Sequence, residues 1–237
     1  MLQTILCFEN AWTKKSFVWE FVSQTKMEKI ESLKKYFTST ELNYQTVIKF
    51  DPKTYKTYRN FAHVMYFGKV CGKLFHTPVI TTALMQIRDD GMLGFPGGVI
   101  DAQDDIVEGL NRKLMEEMGL NDVKMQISLN DKLATYIDQN TKELYHFFTK
   151  EILEDELNRI EMACINSRDW GNEVYGLIRV PLSNPFKHFP FPQFLNNNFI
   201  GNSRVQLCHG LCHANLMSVK ELDLALHTSH KMLLTNW

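Results

Sequence analysis

The sequence lacks any apolar run of the ~18–20 residues needed to cross a bilayer, and it lacks a surplus of charge of either sign. The first absence argues against a membrane-spanning helix. The second is 26 basic against 27 acidic residues, a formal charge of -1. It excludes a polycation that coats nucleic acid along its length, so any phosphate contact has to be local. Cysteine is scarce and odd in number: Cys7, Cys71, Cys164, Cys208 and Cys212. That pattern fits a reducing, intracellular setting better than a disulfide framework. Glycine is missing before Gly68, and all 12 glycines lie from there onward. The stretch Met1 to Trp12 has no basic start and is interrupted by Glu9, which argues against a secretory signal.

What is present suits one globular domain with an extension: 237 residues, 44% hydrophobic and 22% charged. Charge divides along the chain. Residues 1–67 carry 10 basic and 6 acidic side chains, giving +4, and residues 68–237 carry 16 and 21, giving -5. We read residues 1–50 as an N-terminal extension with helical leanings, because Met27, Ile30, Leu33 and Phe37 recur at helical spacing. Packing of that helix on the main domain is preferred to a dedicated binding arm. Residues 51–226 form the main domain and 227–237 a C-terminal tail.

The body alternates between two periods. Phe61–Phe67, Ile80–Ile87, Glu143–Thr149 and Val174–Val180 read as strands, the last closed by Pro181. Asp105–Met118 reads as a helix stopped at Gly119, and Leu153–Ile165 and Ser203–Met217 read as two more. The alternation predicts an α/β domain with helices covering a sheet. A loop rich in Pro and Phe spans Pro181–Pro192. It suits a lid on the sheet better than a base-stacking or partner-binding surface. Cys208, His209, Cys212 and His213 invite a metal reading, but at helical spacing the cysteine and histidine pairs point ~100° apart, and ordinary helix residues are the better account.

One stretch carries chemistry. Gly94-Phe95-Pro96-Gly97-Gly98 forms a loop in which glycine lets backbone approach a ligand. Asp104 follows, then the helix Arg112-Lys113-Leu114-Met115-Glu116-Glu117-Met118-Gly119-Leu120. Glu116 and Glu117 offer hard oxygens of the kind Mg²⁺ or Mn²⁺ prefers. Such an ion polarises a phosphoryl oxygen and lowers the pKa of an attacking water. Paired glutamates alone are more often a solvated helix face; the loop and the spacing are what raise them above it.

The whole stretch resembles the Nudix box: Gly, five residues, Glu, seven residues, then Arg-Glu-apolar-x-Glu-Glu-x-Gly-apolar. Its spacing runs here from Gly98 to Leu120. Further likeness lies in Leu84–Arg88, Gly109–Arg112, Glu173–Leu182 and Asn198–Gly201. It points to the branch that decaps small nucleolar RNA and hydrolyses inosine diphosphate, and to its non-catalytic Tudor-interacting relatives. The resemblance covers roughly residues 58–217. It implies an α/β/α sandwich around a mixed sheet. It also implies a Mg²⁺- or Mn²⁺-dependent pyrophosphohydrolase acting on purine nucleotides or capped RNA, a homodimer, and residence in nucleus and cytoplasm without membrane contact.

By the same resemblance, Glu116, Glu117 and the Gly97 carbonyl hold metal, and His63, Phe95 and Gln206 hold the base. Arg88 meets phosphate, while Gly98, Asp104, Arg112 and Gly119 shape the box, with Arg112 pinned to Asp104. Two positions depart from the pattern. Lys113 stands where the family has a metal-binding Glu, a change of two charge units; like charges ~4 Å apart repel by about 4 kcal/mol at an effective dielectric of 20. Tyr136 falls where the decapping enzymes carry a histidine near the metal. Glu173 is a guess for the general base. Two readings follow: a hydrolase, favoured by the intact Glu116-Glu117 pair, and a catalytically inactive RNA- or protein-binding module, favoured by Lys113 and Tyr136.

Overall fold

The computed structural model describes residues 31–47, 54–74, 77–182 and 190–235. A 3-10 helix, Glu31–Tyr36, leads into α1 (Ser39–Leu42) and β1 (Gln45–Thr46). Next come β2 (Arg59–Leu74), β3 (Thr77–Arg88), β4 (Leu93–Gly94), β5 (Gly97–Ile100) and the box helix α2 (Ile106–Met118). Then β6 (Lys132–Asp138), β7 (Glu143–Glu151), α3 (Glu154–Cys164) and β8 (Val174–Leu182) lead to α4 (Pro190–Phe194), α5 (Ser203–His213) and α6 (Val219–Thr235). Among the described residues no helix is long and apolar enough to cross a membrane.

Eight strands make one mixed sheet in the order β1-β6-β7-β2-β3-β4, with β5 paired to β2 and β8 to β3. β2 and β7 run parallel, from Arg59↔Glu143 to Phe67↔Glu151. Alternation along β2 builds two cores, because neighbouring side chains leave opposite faces of a strand. Met65 and Phe67 join a core with Phe147, Leu207 and Leu211, roofed by α5 and α6. Ala62, Val64 and Tyr66 join another with Leu110, Leu114, Met118, Leu157 and Ile160, roofed by α2 and α3. The architecture is therefore the expected α/β/α sandwich. Leu110, Leu114 and Met118 recur every four residues, so one stripe of α2 is buried. Each such side chain contributes roughly 1.5–3 kcal/mol by leaving water. Tyr66 ties this layer to the loop after α2 by donating its hydroxyl to the Met125 carbonyl at 2.7 Å.

Several boundaries move. The helix expected over Ser203–Met217 stops at His213, and a second helix begins at Val219, so residues 227–235 of the expected tail are helical. β8 runs past Pro181, which pairs with Thr82; among the described residues β8 pairs with β3 alone, and an edge strand is where a sheet tolerates proline. β6 is missing from the sequence reading because Lys132–Asp138 is buried at nearly every position and shows no alternation. At the N-terminus, Met27 and Ile30 lie outside the described residues, whereas Leu33 and Phe37 are buried in the same core as α5. Most of the Pro-Phe loop also lies outside the described residues; its end forms α4, with Phe191 and Phe194 buried.

Candidate functional site

A cavity of about 640 Å³ opens where β2, β3, β5, α2 and α5 converge. It is lined by His63, Arg88, Phe95, Gly97, Gly98, Lys113, Glu117 and Gln206, so the structure brings eight of the sequence-named residues together. Glu173 lines it too. Glu116 and Tyr136 are not on its walls.

The box helix explains the split between the two glutamates. Asp105 caps its start by accepting from the Val107 and Glu108 amides, and Gly119 closes it with φ 67, a left-handed cap suited to glycine. Successive side chains on the helix diverge by ~100°, and here Glu117 faces the cavity while Glu116 does not. Glu116 turns toward cations: Arg112 at 3.2 Å, Arg168 at 2.9 Å and Lys113 at 3.4 Å. Burial opposes its charge, but Lys113, Arg112 and Arg168 outweigh that and hold its carboxyl below the usual range. Arg112 also meets Asp104 at 2.9 Å, as the resemblance implies, and Asp101 at 2.7 Å, which the sequence reading missed.

Glu117 is 3% exposed and accepts the Gly97 amide at 3.0 Å. Burial pushes its carboxyl up to about 7, against the Gly97 hydrogen bond, the Lys113 charge and a hydrogen bond from Gln86. Gly97 has φ 124, and a Cβ there would stand 2.1 Å from the Ala62 carbonyl oxygen. Only glycine lets the loop lie this close to β2.

These oxygens are of the right type for Mg²⁺ or Mn²⁺, but the arrangement does not fit a divalent ion. Such an ion needs several carboxylate or carbonyl oxygens free to turn toward it. Glu116 is committed to three cations, one oxygen of Glu117 is held by Gly97, and the Lys113 ammonium lines the same cavity. Among the described residues, no three His, Cys, Asp or Glu side chains cluster as a metal set.

The binding residues divide as well. His63 lies on β2 with its ring nearly parallel to that of Tyr145, the centroids 6.5 Å apart. Burial and the nearby Arg88 charge push its pKa down to about 4, so the imidazole is neutral. Arg88 lines the cavity while its Nε contacts Asp90 at 3.1 Å. Phe95, expected to stack on a base, is 2% exposed and packs against Phe147 with centroids 5.0 Å apart. Its ring belongs to the core, and the residue also lines the cavity. Gln206 is buried in the first turn of α5 and donates to Asn202 at 3.0 Å. Tyr136 packs in the core under α5, where its hydroxyl meets His209 Nδ1 at 2.6 Å. Its register partner Tyr145 lines the cavity, whereas Tyr136 does not. Cys208 and Cys212 are buried on α5.

Sequence reasoning missed Gln86, Asn202 and Tyr44, all on the cavity wall. Among the described residues, His63 Nδ1, Gln86 Oε1 and Asn202 Nδ2 are buried without a hydrogen-bond partner. A buried polar atom left unpaired costs about 1–3 kcal/mol, so three around one cavity form a recognition surface for a ligand with both donors and acceptors. No linear motif signals them; His63 on β2 and Gln86 on β3 meet Asn202 through the pairing of those strands and the placement of α5.

Comparison with known proteins agrees with this geometry. The family model described as "Nudt16-like: U8 snoRNA-decapping enzyme-like" matches residues 60–217. The chain belongs to this Nudt16-like family. It is 36% identical over 179 residues to the U8 snoRNA-decapping enzyme of Xenopus laevis, covering 74% of this chain and 84% of that protein. It is 34% identical over 168 residues to the Tudor-interacting repair regulator protein of Homo sapiens, covering 69% and 78%. Among solved structures, it resembles the NUDIX domain of Shewanella oneidensis NrtR complexed with ADP ribose: 18% identity, TM-score 0.45, coverage 76% and 100%. The Nudt16-like match includes the whole box helix and all of α5 but not Tyr44.

Proposed function

We propose that this Nudt16-like chain binds purine nucleoside diphosphates or the capped 5′ end of RNA, and that Lys113 impairs hydrolysis of their pyrophosphate. The observation that carries the reading is the set of three buried, unpartnered polar atoms on a cavity that also presents Arg88 and Lys113. Amide and imidazole groups suit a 6-oxopurine, which offers N–H donors and a carbonyl acceptor on one edge. The guanidinium of Arg88 and the ammonium of Lys113 suit the phosphates. The names of the curated relatives support a capped RNA as the natural ligand and a nuclear setting, with a homodimer as the proposed assembly.

Hydrolysis is a second reading that one observation favours: Glu117 and Glu173 both line the cavity, with Glu117 poised near neutral. A carboxyl of that kind can exchange a proton with water close to a bound phosphate. Lys113 opposes it, since a lysine lines the cavity at the helix position where the family pattern has a carboxylate.

The test combines calorimetry with product analysis, using inosine diphosphate and methylguanosine-capped RNA in Mg²⁺ or Mn²⁺. The natural chain is expected to bind both ligands and to turn them over at least about a hundredfold more slowly than Lys113→Glu. Glu117→Gln added to Lys113→Glu removes that gain. Equal turnover by the natural chain and Lys113→Glu would sink the impairment. Failure to bind either ligand would sink the reading of the cavity.

A further inference from the structure

We propose that the segment Tyr36–Thr46 is a working wall of the nucleotide cavity and that Tyr44 is a specificity-determining residue whose ring contacts the bound base. The inference rests on the nucleotide-binding reading above and goes beyond it, because these residues precede the matched family region.

Thr40 and Tyr44 both line the cavity. Tyr44 meets Tyr145 there, and the lining also includes the neutral polar groups His63, Asn202 and Gln206; Glu143, which accepts from the Tyr145 hydroxyl, and Asp138 act on Tyr44 from outside that lining. The charged lining comes from other elements, Arg88 at the end of β3, Lys113 and Glu117 on α2, and Glu173 before β8. A nucleotide has the same division, an uncharged base and an anionic tail, so the base belongs with Tyr44. Asn202 supplies an independent sign of a ligand there, since it is 3% exposed and its Nδ2 is unpartnered.

Tyr44 is held for this task. Gly201 has φ 52, and a Cβ on it would come within 3.1 Å of the Tyr44 hydroxyl, so the glycine admits the ring. Tyr145 meets Tyr44 edge-on, with centroids 5.0 Å apart. β1 pairs with β6 at Gln45↔Ile137 and Thr46↔Tyr136. Arg204 grips Glu41 in a two-pronged pair at 2.8 and 2.7 Å. Arg204 lies on α5 two residues before Gln206, so one helix positions both Gln206 and Tyr44. The Thr38–Glu41 capping box fixes the short helix between them. A segment tied down this firmly is a fixed wall. Arg204 and Glu41 act as positioning residues, and Tyr44 is the contact.

The test measures affinities of the full chain for inosine, guanosine, adenosine and cytidine diphosphates and for inorganic pyrophosphate. Tyr44→Ala is expected to weaken the purine ligands about tenfold or more, as loss of an aromatic–base contact does. Pyrophosphate binding stays unchanged, so the preference for purine over cytidine flattens. Tyr44→Leu keeps apolar bulk beside β1 and serves if the alanine variant does not fold; the same flattening is expected. Glu41→Gln is expected to shift the purine preference in the same direction by a smaller factor. Equal weakening of every ligand, pyrophosphate included, or an unchanged purine preference in a folded Tyr44 variant, would overturn the role of Tyr44. No nucleotide binding by the natural chain would instead overturn the function on which it rests.

Discussion

Replacing Arg204 with Met tests whether the N-terminal segment is part of the domain or an appendage. The guanidinium and the Glu41 carboxylate form two short hydrogen bonds, and their side chains are 16% and 9% exposed. Arg204 also lies over the Phe37 ring, 5.5 Å from its centroid. Methionine keeps the apolar stem over that ring but leaves the carboxylate with Thr38 hydrogen bonds and without its cation. Removing one partner of a largely buried pair costs about 3–5 kcal/mol. In a chain of this size, that lowers the melting temperature by roughly 6–20 °C.

The pH dependence gives a second check. In the natural chain burial opposes ionisation of Glu41, yet the hydrogen bonds from Arg204 and Thr38 win and hold its pKa below 4.5. Its stabilising contribution is therefore full above the unfolded value and is lost as pH falls through the lower folded value. Without Arg204 the burial effect dominates and the folded pKa rises. The deficit of the variant is then largest at neutral pH and shrinks in acid, as Glu41 becomes neutral in both proteins. Thermal melts of both proteins from pH 7 to pH 3 measure this. A deficit under about 1 kcal/mol at pH 7, the range of an exposed pair, or one that stays constant into acid, refutes the reasoning.

Three further outcomes are expected. Gly97→Ala places a methyl 2.1 Å from the Ala62 carbonyl at φ 124; strain of about 1–3 kcal/mol should appear in denaturant melts together with weakened nucleotide binding. The His63 imidazole, pushed down to about 4, should titrate in NMR near that value, leaving binding free of a His63 step between pH 5.5 and 8; a midpoint near 6.5 would contradict its burial. Tyr66→Phe removes the hydroxyl that meets the Met125 carbonyl at 2.7 Å and should cost about 1–2 kcal/mol in chemical denaturation, with no change in the base preference.

The box was legible because its information is local. Asp105 caps, Gly119 terminates, and the apolar stripe Leu110, Leu114, Met118 has helical period. Arg112 and Asp104 were legible as a pair through family resemblance, since they bridge only a loop and one turn. Phe95 was harder, because an aromatic beside glycines reads equally as a stacking face or as an anchor; its contact with Phe147, on a strand far along the chain, is visible only in the structure. The surroundings of Tyr136 were not legible for a related reason: its contact with His209 joins β6 to α5, and no local pattern in the sequence reveals it.

By itself, then, the sequence determined the family, the three-layer architecture and the one charge that departs from the hydrolase pattern, Lys113. Each is encoded by residue type and spacing within a single element. Only the tertiary structure decided which glutamate faces the cavity, that Glu116 is committed to Arg112, Lys113 and Arg168, and that Tyr44 and Asn202 share a wall with Gln206. Those facts depend on side chains distant in sequence meeting across packed layers. Helix phase, strand register and burial set such meetings, and no short stretch of sequence contains all three.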